Sequence, residues 1–271
     1  MRKILLWMLL LVMGSTCYAQ DITIRYKGKT AKVEQKVKDS VDVSVEGAKV
    51  SIDSRLTGRK LTLRLTGQST DGRLDLKTAG KAKVQLDGLT LTSQEGAPLC
   101  LKNKKKVEVV ATKGTVNTLT ITTCQDTASN KAATIWAKDK LLLSGKGTLN
   151  IVATGDGCRG IKTKKDITIE ELTLNVTTSG DNLGEMPSVP TNATARQATA
   201  LLIGLNVEKD EPISIYDASG TLIDSVTIPF SLKRSASLVS SPAFKVGNSY
   251  TVKTKGYEKT FTLSEPFTTV R

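Results

Sequence analysis

The apolar positions between Leu141 and Thr178 fall into the same short pattern twice. Leu141-Leu142-Leu143 is an apolar run, Ser144-Gly145-Lys146-Gly147 a turn, and Thr148-Leu149-Asn150-Ile151-Val152 an alternating run. Ile167-Thr168-Ile169, Glu170-Glu171 and Leu172-Thr173-Leu174-Asn175-Val176 repeat that order. Alternation of period two marks half-buried strands. Strands this short, with one apolar face each, bury that face only by stacking on copies of themselves.

Upstream, Val41–Val45, Ala48–Ile52, Leu61–Leu65, Val84–Leu86 and Val107–Val109 continue the series. One central position from each unit gives Val43, Leu63, Val84, Val107, Leu142 and Thr168, with steps of 20, 21, 23, 35 and 26 residues. That period predicts an all-β solenoid with two or three short strands per turn, and the long step takes an insertion at Cys124–Asn130. Gly67, Gly88, Gly114, Gly145 and Gly147 fall where corners are needed. The solenoid is expected over residues 20–182, a linker or long loop with Pro187 and Pro190 over 183–200, and a small antiparallel β cap over 201–271.

Arg2 and Lys3 precede the apolar run Ile4–Met13, and Cys17-Tyr18-Ala19 ends in a small residue. Residues 1–19 are therefore expected to be a signal peptide, cleaved after Ala19. The remaining chain holds no apolar run long enough to span a bilayer. An exported, soluble or surface-associated protein is expected.

Removing the leader leaves Cys100, Cys124 and Cys158, so one pair can bridge with one thiol free, or all three are small buried apolar residues. The chain has no histidine, which excludes catalytic triads built on His and argues against zinc. The formal net charge is +13. Residues 20–182 carry 28 basic and 18 acidic residues, against 9 and 8 from residue 183 onward. The basic excess thus belongs to the repeats, and such a field favours polyanions.

Much of that excess sits at one repeated place. Arg59-Lys60, Lys81, Lys105-Lys106, Lys138 with Lys140, and Lys164-Lys165 each immediately precede the equivalent strand. Stacked corners would align them roughly 4.8 Å apart as a positive stripe. Either the stripe binds a uronate-like polymer, or its lysines are solvated turn residues that block edge pairing. Nucleic acid is disfavoured by export and by the lack of basic–aromatic interleaving. Trp136 alternates with Ile135, which places it outward beside Lys138. It either stacks on a sugar ring or packs under the Cys124–Asn130 loop.

Several stretches carry a family resemblance: Leu65-Thr66-Gly67-Gln68-Ser69-Thr70-Asp71-Gly72-Arg73-Leu74, Leu86-Asp87-Gly88-Leu89-Thr90-Leu91, Gly114-Thr115-Val116-Asn117-Thr118-Leu119 and Gly155-Asp156-Gly157-Cys158-Arg159-Gly160-Ile161-Lys162. Their order resembles secreted bacterial carbohydrate-binding domain-containing proteins, right-handed parallel β-helices similar to polysaccharide lyases. The resemblance implies that fold, bound calcium, and plant-type ligands such as polygalacturonate and cellulose. Calcium needs six to eight oxygens, for which Asp156, Asp166, Asp181 and Asn182 are the candidates. Arg159 beside Asp156 is the pairing a lyase of this fold would need, and it is counted with the binding face here. The reading is a non-catalytic binder of acidic polysaccharide through Lys60, Lys81, Lys106, Trp136, Lys138, Lys140, Arg159, Lys164 and Lys165. A polysaccharide lyase and a structural surface solenoid are the alternatives.

Overall fold

The computed structural model describes residues 20–124, 132–155, 157–179, 193–195 and 197–270. The described residues form strands and turns, with no helix among them. Most strand pairs are parallel, and they build three ladders.

The first ladder contains Ile22–Lys27, the front halves of Leu61–Ser69 and Ala82–Ser93, then Val107–Ala111, Leu141–Gly145, Ile167–Glu170 and Ala193–Ala195. The rear halves of the same two long strands begin the second ladder, which continues with Val116–Ile121, Thr148–Ala153 and Thr173–Thr178. The third consists of Lys49–Ser54, Arg73–Thr78, Leu99–Asn103, Ala133–Ala137 and Arg159–Thr163. From Lys49 to Thr178 the chain visits the third, first and second ladders in the same cyclic order. The two halves of residues 141–178 lie rung on rung, with Leu141 opposite Ile167 and Thr148 opposite Thr173.

Leu63, Val84, Val109, Leu143 and Ile169 form one inward row of the first ladder, all fully buried. This corrects the row expected from spacing. Val107 sits two positions early, and Leu142 and Thr168 lie on the outer side, because a run of three apolar residues does not say which face it turns inward. Val43 leaves the row altogether. Its strand, Val41–Glu46, pairs antiparallel with Lys49–Ser54 at the edge of the third ladder, and Ile22–Lys27 supplies the rung instead. Gly145 shows why corners need glycine. Its φ is +120°, and a Cβ there would stand 2.1 Å from the Ala111 carbonyl oxygen.

Antiparallel strands cover ladder ends: Thr30–Gln35 on Ile22–Lys27, Val41–Glu46 on Lys49–Ser54, and Leu232–Ser240 on Thr173–Thr178. Each satisfies backbone groups that an open edge would expose. Thr199–Val207 lies beyond Leu232–Ser240 and also pairs with Phe267–Val270. Pro212–Asp217, Leu222–Thr227, Ser249–Thr254 and Tyr257–Thr262 make a separate antiparallel sheet. The C-terminal strands do more than close an end. Val152, on the outer side of the second ladder, packs into their apolar cluster, and the hydroxyls of Thr177 and Ser237 pair at 3.1 Å. The stretch 183–200, expected as a linker, contributes the rung Ala193–Ala195 and the start of Thr199–Val207. Small Ala and Thr side chains hide such a rung from hydropathy.

Cys124 and Cys158 form a disulfide, and Cys100 is a buried free thiol.

Candidate functional site

Between the third ladder and the first, the chain turns a corner of three residues in four successive passes: 79–81, 104–106, 138–140 and 164–166. The backbone is held across passes. The N–H of Leu61 donates to the Lys81 carbonyl, that of Val107 to Lys140, and that of Leu141 to Asp166, each at 3.0 Å. Lys60, Lys81, Lys106, Lys140 and Asp166 therefore occupy one equivalent position at successive rungs, each immediately before its strand. Lys104, Lys138 and Lys164 open their corners, and Lys105 and Lys165 occupy the middle. All of these lysines are exposed.

The corner is fixed from below by polar residues that end the third-ladder strands. Thr78 Oγ1 donates to the Gly80 carbonyl at 3.2 Å. Asn103 is fully buried. Its Nδ2 donates to the Lys105 carbonyl at 2.8 Å and lies 3.4 Å from that of Lys140, while its Oδ1 accepts from the N–H groups of Lys138 and Asp139 at 3.1 and 3.2 Å. Thr163 Oγ1 donates to the Asp139 carbonyl at 3.0 Å. Gly80 has no room for a side chain, since a Cβ would stand 2.3 Å from the Leu56 carbonyl oxygen.

Charge along the corner is uneven. Lys60 pairs with Glu108 at 3.3 Å, and Lys140 with Asp166 at 3.5 Å. Among the described residues, Lys81, Lys104, Lys105, Lys106, Lys138 and Lys164 make no ion pair. Two like charges about 5 Å apart in water repel by roughly 0.8 kcal/mol. A stack of lysines is thus no aid to folding, and an anionic chain laid along it would remove the repulsion. These corners join ladders rather than form a sheet edge, so protection against edge pairing does not account for them.

Lys60, Lys81, Lys106, Lys138, Lys140, Lys164 and Lys165 are brought to this one corner. Trp136 and Arg159 are not. Trp136 points away from the main core, as alternation predicts, but is only 5% exposed and packs with Ala97, Cys100 and Ala133. It is therefore a core residue of a satellite cluster, not an exposed sugar platform. Arg159 opens Arg159–Thr163, at the end of the strand away from Lys164. Five residue steps along the strand place it about 16 Å from Lys164.

Two lysines escaped the sequence reading. Lys104 belongs to the run Lys104–Lys106 and opens its corner. Lys162 stands in register with Trp136, and its ammonium titrates below the ordinary lysine value because of burial, then repulsion from Arg159 and Lys164. Its outward position was readable from buried Ile161 beside it.

Of the calcium candidates, Asp156, Asp181 and Asn182 lie outside the described residues. Asp166 is exposed and faces Lys140. Among the described residues no three acidic or thiol groups converge on a point.

The outer face of the third ladder holds a second charged group. Asp75 lies 2.8 Å from Arg73 Nε and 3.4 Å from Lys102 Nζ. Burial opposes ionisation of its carboxyl, but the Arg73 hydrogen bond and charge outweigh it and hold the group below the usual aspartate value. Burial, then the neighbouring Asp75, pushes the Cys100 thiol up to about 11. Such a thiol is a poor nucleophile at neutral pH.

The chain belongs to the family of carbohydrate-binding domain-containing proteins, whose model matches residues 46–222. A carbohydrate-binding domain-containing protein of Acetivibrio thermocellus is 26% identical over 155 residues, covering 55% of this chain and 51% of that protein. The chain thus spans about half the length of this curated relative. Among solved structures, a gadolinium derivative of the polysaccharide lyase-like protein from C. thermocellum aligns at a TM-score of 0.42 and 18% identity, covering 65% of this chain and 79% of that one.

Proposed function

We propose that this protein is an exported, non-catalytic polysaccharide-binding module. In this reading the three ladders are the faces of a right-handed parallel β-helix, and residues 201–271 form its C-terminal β cap. The ligand is an acidic polysaccharide of the polygalacturonate type, lying along the lysine corner with its carboxylates against successive ammonium groups. The observation that carries the reading is the in-register stacking of Lys60, Lys81, Lys106 and Lys140 on a backbone pinned by Asn103. Membership of a carbohydrate-binding family supports the general ligand class. The basic start and apolar run of residues 1–13 support export.

The test is electrophoresis of the chain from Gln20 onward through gels containing polygalacturonate, with and without a chelator. Ultraviolet absorbance of unsaturated uronide is followed in the same mixture. Retardation without absorbance, lost at high salt, is the expected result. Absorbance growing with time would make the protein a lyase. Neither signal would remove acidic polysaccharide as the ligand.

A further inference from the structure

The C-terminal four-stranded sheet has one face committed to folding and one that folding does not use. Ile213, Ile215, Tyr250, Val252 and Phe261 turn inward and are buried. The opposite face carries Tyr216, Thr251 and Thr260 in one cross-strand row, with Ser214, Lys253 and Glu258 in the next. The hairpin turn at Asp217 and the flanking strands form a cleft of about 570 Å³ whose wall includes Tyr216, Asp217, Thr251, Lys253, Glu258 and Thr260, a size suited to a small ligand.

The lining is chemically specific. Thr251 and Thr260 pair their hydroxyls at 2.9 Å, and each hydroxyl retains spare donor or acceptor capacity. Lys253 and Glu258 form an ion pair at 3.0 Å, and Lys253 Nζ lies 5.7 Å from the centre of the Tyr216 ring. Opposite charges side by side give no single-sign field to attract a polyanion. They do supply an ammonium donor and a carboxylate acceptor within the reach of adjacent hydroxyls of one sugar. The Tyr216 ring offers an apolar wall for the C–H face of a pyranose. The chain from residue 183 onward is also nearly balanced in charge, with 9 basic and 8 acidic residues.

We infer that this cleft, formed by Tyr216, Thr251, Lys253, Glu258 and Thr260, is a second saccharide site that takes an uncharged sugar chain. It is separate from the lysine corner and does not rest on the polyanion reading. Two sites of different charge chemistry would let one chain attach to a mixed polysaccharide matrix.

The test is affinity electrophoresis of the chain from Gln20 onward in hydroxyethylcellulose, mixed-linkage glucan, xyloglucan and galactomannan. At least one of these neutral polymers is expected to retard the protein, and 0.5 M sodium chloride is expected to leave that retardation unchanged. Tyr216→Ala should weaken it about tenfold, the scale of one lost aromatic contact, while Tyr216→Phe should retain it. Thr251→Arg, which fills the cleft from a half-buried position on the strand, provides a second variant, and thermal unfolding confirms that each is folded. Retardation by polygalacturonate should be the same in Tyr216→Ala and Tyr216→Phe as in the parent, which separates this site from the lysine corner. Absence of retardation in all four polymers, or retardation indifferent to both Tyr216→Ala and Thr251→Arg, overturns the inference.

Discussion

The Oδ1 of Asn103 accepts a hydrogen bond from the backbone N–H of Lys138, one pass further along the chain, at 3.1 Å. The same carboxamide serves the backbone at Lys105, Asp139 and Lys140, so one buried side chain joins two lysine corners. Asn103→Leu would leave those groups without their partner in a buried place. Each such group costs about 1–3 kcal/mol. The expected outcome is a fall in melting temperature, read by circular dichroism, together with weaker retardation in polygalacturonate. Asn103→Asp should be worse at neutral pH, because it loses both donors and buries a charge.

The lysines should not contribute equally. Lys106 and Lys81 make no ion pair among the described residues, whereas Lys60 already shares its ammonium with Glu108. Exposed pairs are weak one at a time. Lys106→Ala and Lys81→Ala should each reduce affinity for polygalacturonate roughly two- to fivefold, and Lys60→Ala by less. Salt at 0.5 M should erase the differences, since exposed charges are then screened. Removing one lysine relieves repulsion along the stack, so the melting temperature should hold or rise. A melting temperature that fell with affinity would assign these lysines to folding.

Trp136 gives the opposite expectation to that of an exposed sugar-stacking residue. It is buried against Ala97, Cys100 and Ala133, so Trp136→Ala should cost about 3–5 kcal/mol of stability. In the chain from Gln20 onward it is the sole tryptophan. Its fluorescence should be blue-shifted in the folded state and unchanged on saturation with polygalacturonate. Quenching by the polymer would return Trp136 to the binding face.

The repeat was legible because alternation and corner glycines are local signals, and residues 141–178 stack as their internal repetition suggests. The lysine corner was legible for the same reason: each lysine immediately precedes a strand that pairs with the next. What covers an outward side chain is not a local property. Alternation turned Trp136 outward correctly but could not show the small residues that pack around it. Arg159 was grouped with the corner although it opens the strand whose far end leads into it. Asn103 looked like one more polar residue beside a charged run, since its partners come from the next pass. The C-terminal strands were readable as β, but their packing on the second ladder depends on contacts such as Thr177 with Ser237, far apart in sequence.

Asp75 gives a prediction with a defined pH window. Its carboxyl is half-hidden on the third ladder, where burial alone would raise its pKa, yet Arg73, Cys100 and Lys102 together hold it below the ordinary value near 3.8. A depressed pKa means that the folded state favours the ionised form. Its contribution is therefore complete above the unfolded value near pH 4 and is lost as pH falls through the folded value. Asp75→Asn removes the charge and leaves Arg73 half-buried without its carboxylate, which should cost about 1–3 kcal/mol at pH 7. Melting temperatures of the two proteins, measured from pH 7 to pH 2, should run parallel down to about pH 4 and converge below it. Melting curves that stayed parallel to pH 2 would show that ionisation of Asp75 is not what stabilises the folded state.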